Sequence, residues 1–195
     1  LVLELIPGGA KRDLSAAQAR RLLASVRPRD VVGKTRKRVA MELVVDLERI
    51  YARKKAANKE LLVLLAEVDT TLLTLHGIGP SGAARLLAEV GDITRFPDRA
   101  HFASWTGTAP IDASSGDNVR HRLSRGGNRK INRVLHIMAT VQLRTRTTDG
   151  RAHYDRKVAN GKTPNQAKRS LKRRPSHLVY RALLDQPNPH AVPHA

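Results

Sequence analysis

Residues 111–133 contain residue types that can carry out chemistry on a phosphate ester. Ser114 and Ser115 precede Gly116. A serine hydroxyl attacks phosphorus once its proton is removed, and a neighbouring glycine lets the phosphate approach closely. Guanidinium groups, which stabilise the charge that develops on phosphoryl oxygens, follow as Arg120, Arg122 and Arg125. On chemistry alone, the segment fits a flexible loop equally well.

Strand cutting also needs a base and commonly a metal, and these are less evident. His121 is flanked by arginines that disfavour its protonated form, so it is a weak candidate base and can equally bind phosphate. Asp112 and Asp117 flank the serines without the clustered carboxylates that a two-metal nuclease needs. We therefore expect no metal site in this chain unless folding gathers distant acids.

The positive charge of the chain is concentrated in and after this segment. Of the formal net charge of +19, residues 115–181 contribute +15, because they hold 18 Lys and Arg against three acids. Such a block is typical of a surface that displaces counterions from nucleic-acid phosphates, with a solvated basic face as the alternative. Aromatic residues make up only 3% of the chain, which argues against base stacking and favours contact with duplex or backbone.

The elements that must position these residues are predicted to be helical. Hydrophobic residues make up 41% of the chain and few are aromatic, so the core must consist of aliphatic side chains. The absence of Cys excludes disulfides, Cys-ligated zinc and a thiol nucleophile. There is no signal-peptide pattern and no apolar run of roughly 20 residues. We therefore expect a cytoplasmic protein without membrane association.

Residues 1–33 are expected to hold the end of an upstream domain and a short helix. The chain starts with Leu1, and an apolar run leads into Pro-Gly-Gly at 7–9; an independent N-terminal strand is the alternative. Asp13 or Ser15 can cap a helix that ends near Pro28. Its apolar residues are Leu14, Ala17, Leu22 and Leu23.

Residues 34–70 are predicted to form one long helix, because neither proline nor glycine interrupts them. Apolar side chains recur in alternating steps of four and three residues, weakened at one lysine. These heptad positions are Leu43, Leu47, Ile50, Lys54, Ala57, Leu61, Leu64 and Val68. Such a helix spans about 50 Å, too long for an ordinary globular core. We expect a coiled coil that joins copies of the chain, with an intramolecular helix pair as the alternative.

Residues 71–150 are predicted to begin with a helix-hairpin-helix. Gly77 and Gly79 allow the positive φ angles of a tight turn, and Pro80 suits the first position of the second helix. Hairpin amides and a helix N-terminus can hold a phosphate, so both glycines are candidate nucleic-acid contacts; a purely structural turn is the alternative. A later helix with one apolar face begins with three further candidates, Arg129, Lys130 and Arg133.

The C-terminal part is predicted to be a basic helical extension over residues 151–186, interrupted at Pro175, and a disordered tail over residues 187–195. The cations of this helix are Lys168, Arg169, Lys172, Arg173 and Arg174. Trp105 is expected in the core. Tyr154 would suit a tyrosine recombinase, but a His-x-x-Arg pattern from His121 fails at Ser124, so Tyr154 is expected to pack.

In combination, these features resemble a known family. The order GIGP at 77–80, FASWTGTAP at 102–110, SSG at 114–116 and RHRLSRGGNRKINRVLH at 120–136 is similar to the C-terminal domain of DEDD-type bacterial insertion-sequence transposases. The likeness covers roughly residues 34–185. It implies a mainly α fold in which a long coiled-coil-like helix precedes a helix-hairpin-helix domain with a basic helical C-terminal region.

The resemblance also implies a function. It places the nucleophile for DNA strand cleavage and transfer before the glycine, at Ser115, with Ser114 in reserve. Four acids of an upstream RuvC-like domain would bind Mg²⁺, copies would assemble through the long helix, and a structured guide RNA is left open. The chain would act at the bacterial nucleoid and would be inactive without that upstream domain. The alternative is a non-catalytic helix-hairpin-helix protein that binds nucleic acid.

Overall fold

The computed structural model describes residues 2–6, 14–112, 121–122, 124 and 126–186. The chain divides into two compact units, Leu1–Glu60 and Leu61–Ala195. Helices dominate both units within the described ranges, which confirms the mainly α prediction. No helix in those ranges is long and apolar enough to cross a membrane.

The first unit contains two short helices and the first part of a long one. Helix α1 spans Val2–Leu5, α2 spans Ala16–Ser25 and α3 begins at Val31. Ser15 caps α2, because its Oγ accepts from the Gln18 amide while the Gln18 side chain accepts from the Ser15 amide. The buried core of this unit consists of Ala16, Ala19, Leu23, Ala40 and Val44.

Three details of the N-terminal prediction are settled by these helices. Val2–Leu5 forms one helical turn, so the alternative of a short strand is wrong. Ser15 is the cap of α2, whereas Asp13 lies outside the described residues. Ala17 is exposed, because it lies outside the buried face of α2. That face consists of Ala16, Ala19 and Leu23.

Helix α3 is a single helix of 37 residues, Val31–Glu67. Its heptad positions are not its buried positions: Leu43, Ile50 and Leu64 are 54%, 58% and 55% exposed. The side chains of α3 that are buried are Ala40, Val44 and Leu65. An apolar stripe with seven-residue spacing is therefore left in contact with solvent.

The second unit begins within α3 and continues with shorter elements. They are, in order, a 3₁₀ turn at Thr71–Thr74, α4 at Pro80–Val90, a 3₁₀ turn at Ile93–Arg95, α5 at Arg99–Trp105, strands β1 at Ile111–Asp112 and β2 at His121–Arg122, α6 at Arg129–Arg144, α7 at Asp149–Ala159 and α8 at Pro164–Leu184. The strands pair antiparallel. They were not predicted, because two residues are too few to show an alternating pattern.

The core of the second unit is aliphatic with a small aromatic group at its centre. The Phe102 ring is fully buried, with its centroid 5.3 Å from that of Phe96 and 5.6 Å from that of Tyr180. The Tyr180 hydroxyl donates to the Phe96 carbonyl at 3.1 Å. Trp105 is only partly buried and packs against this core. Helix α6 contributes Ile131, Val134, Leu135 and Met138.

The prediction that Pro175 interrupts the C-terminal helix is wrong. Helix α8 runs through it without a break. A proline removes one backbone hydrogen bond and crowds the preceding turn, which normally breaks a helix. Here Leu171, Pro175 and Val179 lie on one face at four-residue spacing, and all three are buried. Burial of this face holds the helix together, because packing stabilises helices in proteins more than local propensity does.

Candidate nucleic-acid interface

The serine segment is anchored at both ends by the strand pair. Ile111 lies opposite Arg122, and Asp112 lies opposite His121. Backbone hydrogen bonding therefore holds the chain before residue 113 beside the chain after residue 120. The candidates Ser114, Ser115, Arg120 and Arg125 lie outside the described residues, as do the side chains of His121 and Arg122. Their roles stay predictions.

Two glycines allow the chain after the strand pair to pass close to the end of α5. Gly107 and Gly127 have φ angles of 67° and 81°. A Cβ added to Gly127 would lie 2.5 Å from the Trp105 carbonyl oxygen and 2.8 Å from the Gly107 nitrogen. The Asn128 amide donates to the same Trp105 oxygen at 2.7 Å. This contact fixes where α6 begins relative to α5.

Asn132 and Lys172 extend this anchor to α8. The Asn132 side-chain amide donates to the carbonyls of Thr106 at 2.8 Å and Gly107 at 3.1 Å. The Lys172 ammonium donates to the Asn132 side-chain oxygen at 2.7 Å. Burial, and next the charge of Arg129, lower the pKa of Lys172. The turn after α5, the first turns of α6 and the middle of α8 thus form one hydrogen-bonded unit.

The N-terminus of α6 is held by a second polar group. The Asn128 side-chain oxygen accepts from the amides of Lys130 and Ile131, which caps the helix. The Asn128 side-chain nitrogen donates to Glu89 of α4 at 2.8 Å. Lys130 forms an ion pair with the same carboxylate at 2.5 Å, and these hydrogen bonds, that of Lys130 first, lower the pKa of Glu89. The charge of Lys130 is therefore partly neutralised by Glu89 before any phosphate binds.

The remaining cations of α6 form a surface together with α8. Burial and then the charges of Lys172, Lys168 and Arg133 lower the pKa of His136, so these groups lie close together. Within the described part of the chain, Arg133 and Lys168 form no ion pair with an acid. We name this surface the α6–α8 basic face and define it by Arg129, Arg133, His136, Lys168 and Lys172. Arg133 and Lys168, which have no ion pair with a described acid, favour binding of a polyanion.

The glycine turn differs from its prediction in part. Gly77 has the predicted positive φ, 94°, and a Cβ there would lie 3.0 Å from the Met138 Cα, so this glycine lets the turn pack on α6. Gly79 has φ −105° and ψ 174°, so the prediction of a positive φ is wrong there. The reason is that Gly79 caps α4, and a capping residue takes extended backbone. The predicted first helix is only the 3₁₀ turn Thr71–Thr74.

No metal site is found among the described residues. They contain no group of three or more His, Asp or Glu side chains that could hold an ion. Asp112 contributes its backbone to the strand pair, and its side chain is not described. No step of the chemistry below is assigned to a metal held by this part of the chain.

The sequence did not predict the hydrogen bonds that organise this site, although one of the residues involved had a local signal. Asn128 precedes a helix with an apolar face, which is a capping pattern. Asn132, Glu89 and Lys172 gave no such signal, because their partners lie 25 residues or more away along the chain.

Comparison with known proteins covers the same region. Residues 69–155 match the family model described as Transposase IS116/IS110/IS902 family. This range contains the glycine turn, the strand pair and α6.

Curated relatives are proteins of insertion elements. The chain is 33% identical over 150 residues to the insertion element IS110 uncharacterized 43.6 kDa protein of Streptomyces coelicolor, over 75% of this chain and 37% of that protein. It is 33% identical over 126 residues to the insertion element IS900 uncharacterized 42 kDa protein of Mycobacterium paratuberculosis, over 63% of this chain and 30% of that protein. It is 32% identical over 115 residues to the insertion element IS116 uncharacterized 44.8 kDa protein of Streptomyces clavuligerus, which is 58% of this chain and 28% of that protein.

The matched region thus spans between 28% and 37% of the length of these three relatives. The description of the family model and the names of these relatives all refer to insertion elements. Residues 69–155 of the chain are thus similar to transposases of the IS116/IS110/IS902 family.

Proposed function

We propose that this chain is the DNA-binding and serine-bearing part of a DEDD-type transposase for an insertion sequence. The match of residues 69–155 to a transposase family carries the proposal. The α6–α8 basic face supports it, because Arg133, Lys168 and Lys172 lie close together around His136. A DNA-bound protein of this kind would act at the nucleoid.

In the proposed reaction, the Ser115 hydroxyl oxygen attacks a DNA phosphorus. The bond from phosphorus to the leaving strand breaks, the serine proton passes to a base, and the leaving oxygen is protonated and departs as a hydroxyl. The phosphoseryl ester keeps the energy of the broken bond, so a hydroxyl from another strand can reverse the step without ATP. This chain supplies the nucleophile and positive charge. In full-length relatives, a RuvC-like domain with four acids would supply Mg²⁺, and without it we expect no cleavage.

Covalent attachment to DNA tests the nucleophile. In a full-length relative, the change equivalent to Ser115→Ala should abolish the covalent DNA adduct on a denaturing gel and leave DNA binding intact. The equivalent of Ser114→Ala is the matched control, and loss of the adduct there alone would transfer the role to the reserve serine. If no variant changes the adduct, neither serine is the nucleophile. If the wild type forms none, the non-catalytic binding protein is the better description.

DNA binding by the α6–α8 basic face is tested on the chain itself. Arg133→Gln and Lys168→Gln should each weaken duplex binding roughly threefold to tenfold and reduce the salt slope by about 0.9 per lost phosphate contact. Arg53→Gln, an exposed position of α3 in the first unit, makes the same change in net charge. Equal effects of all three variants would attribute binding to net charge and contradict the assignment to this face.

We propose that two copies of the chain associate through the exposed stripe of α3. Leu43, Ile50 and Leu64 are spaced by multiples of seven and are all more than half exposed, as a coiled-coil seam would be in a single chain. Ile50→Lys should convert the dimer to monomer in sedimentation equilibrium. Tyr51→Lys, equally exposed but off the seam, should leave the dimer intact. A wild-type monomer at all concentrations would exclude this interface.

A structured guide RNA is the partner that the resemblance leaves open. A-form RNA presents phosphates that the same cations can bind. Ribonuclease treatment of a full-length relative, followed by a strand-transfer assay, tests the idea. If activity is lost on ribonuclease treatment and restored by added RNA, a guide RNA is supported. If activity is unchanged, no guide RNA is needed.

A further inference from the structure

A cavity of about 610 Å³ lies in the second unit, separate from the α6–α8 basic face. Residues of α5, α6 and α8, the turn before Gly77 and the start of α7 line it. Gly77, Gly79 and the members of the α6–α8 basic face are not part of its lining. Its size is within the range of sites that enclose a small molecule or one unit of a polymer.

The lining of this cavity carries more positive than negative charge. Arg99 of α5 and Arg174 and Arg181 of α8 contribute to it, together with one acid, Asp149. Within the described ranges, none of the three guanidinium groups forms an ion pair with an acid. His177 lies among them: burial first, and then the charges of neighbouring arginines including Arg99, lower its pKa. The lining therefore suits an anion.

Apolar side chains also line the cavity, namely Leu75, Met138 and Leu178. Leu178 is 44% exposed, so part of its apolar surface is open to a ligand. A bare phosphate would need only the cations. Apolar side chains and cations in one cavity suit a ligand with a charged group at one end and a ring system at the other.

The wall opposite α8 is already formed. The Gln142 side chain donates to the His76 carbonyl at 3.4 Å, and the Thr148 hydroxyl donates to the Gln142 carbonyl at 2.7 Å. Gly150 packs so closely on Gln142 that a Cβ there would meet its side-chain oxygen. A wall held by these contacts needs little rearrangement to receive a ligand, which favours binding.

We propose that this cavity receives one unpaired nucleotide of a nucleic-acid strand, with its phosphate on Arg99 and Arg181 and its base against the apolar side chains. The imidazole rings of His76 and His177 also line the cavity, and a base can stack on such a ring or on a guanidinium plane. A base-paired nucleotide cannot enter, because its base is held within the convex duplex. The ligand class rests on the proposed function, whereas the site is distinct from the face proposed for duplex contact.

Fluorescence anisotropy of the full chain tests the proposal. The probes are a single-stranded DNA pentanucleotide, its RNA counterpart, an abasic DNA pentanucleotide and a DNA duplex. Arg99→Gln and Arg181→Gln should each weaken binding of the intact single strands roughly tenfold, since each removes a charge-assisted hydrogen bond. The abasic strand should bind the wild type more weakly than the intact strand. Arg169→Gln is the matched control, because it lies exposed on α8 outside the cavity.

The outcomes separate this proposal from the proposed function. Selective loss of single-strand binding, with duplex binding unchanged, supports the cavity, and the stronger of the DNA and RNA probes identifies the strand. Equal losses for Arg169→Gln and Arg181→Gln, equal losses on duplex and single strand, or an abasic strand that binds as well as the intact one would each overturn it. The effects of Arg133→Gln and Lys168→Gln on duplex binding are measured separately, so each of these outcomes leaves the test of the α6–α8 basic face intact.

Discussion

Gly127→Ala should destabilise the second unit, because the backbone at this position has no space for a side chain. The residue has φ 81°, and an added Cβ would lie 2.5 Å from the Trp105 carbonyl oxygen. Gly126→Ala is the matched control. That residue has no positive φ, and a Cβ there meets nothing within 4 Å. The pair compares the same chemical change at adjacent positions.

The expected cost follows from the contacts. A left-handed backbone costs an alanine about 1 kcal/mol or slightly more. To relieve the overlap, the chain must move away from Trp105, which loosens the hydrogen bond from the Asn128 amide at 2.7 Å and costs about 1 kcal/mol. Residual strain brings the loss in the free energy of unfolding to roughly 2–4 kcal/mol for Gly127→Ala. Gly126→Ala should lie within about 1 kcal/mol of wild type, with either sign.

Urea unfolding followed by tryptophan fluorescence measures the difference. Trp105 is the single tryptophan of the chain, and it packs against the core of the second unit. The signal therefore reports this unit without a contribution from the first. Equal unfolding free energies for Gly126→Ala and Gly127→Ala would refute the close approach between α5 and the start of α6.

Three further predictions are tested by the same urea unfolding or by thermal unfolding. The hydrogen bond from Lys130 lowers the pKa of the Glu89 carboxyl in the folded state. Glu89→Gln should therefore lower the free energy of unfolding above pH 4.5, the ordinary pKa of a glutamate. The difference from wild type should vanish as the pH falls through the lowered pKa of the folded state. Tyr180→Phe removes a buried hydroxyl that donates to a backbone carbonyl and should cost about 1 kcal/mol. Leu65→Ala should cost about 2–4 kcal/mol, and Leu62→Ala, off the α3 seam, less than about 1 kcal/mol, because the two side chains are 3% and 46% exposed.

Local signals in the sequence were sufficient where the structure depends on near neighbours. Ser15 and Gln18 form the cap of α2, and the absence of proline and glycine predicted the long helix. Pro175 shows the limit of this reasoning. Its local effect is to break a helix, yet the burial of one face of α8 outweighs that effect. Burial depends on neighbours that are distant in sequence, so no local pattern could reveal it.

The candidate site shows the same division. The arginine-rich start of α6 was evident from composition, whereas its ion pair between Lys130 and Glu89 was not. A cation counted as a phosphate contact in the sequence thus proves to have a protein partner. The cavity was missed because Arg99 and Arg181 are 82 positions apart, and only packing of α5 against α8 brings them together. Charge density in a sequence locates a basic region without showing which cations lack partners.

Helix α8 carries cations of both proposed sites on opposite sides. At 100° per residue, Lys172 and Arg181 point about 180° apart, across a helix about 10 Å in diameter. One phosphate cannot contact both, so a nucleic acid that occupies the α6–α8 basic face and the cavity must pass around α8 or present two strands. The two sites share no side chain, and effects at separated sites add to within about 0.5 kcal/mol.

On a duplex with a single-stranded tail, the losses of binding free energy from Arg133→Gln and Arg181→Gln should therefore add in the double variant. Anisotropy measurements of the four proteins of this double-mutant cycle give the coupling directly. A coupling well above about 0.5 kcal/mol would mean that one phosphate contacts both sets of cations, which contradicts the opposite orientation of Lys172 and Arg181 on α8.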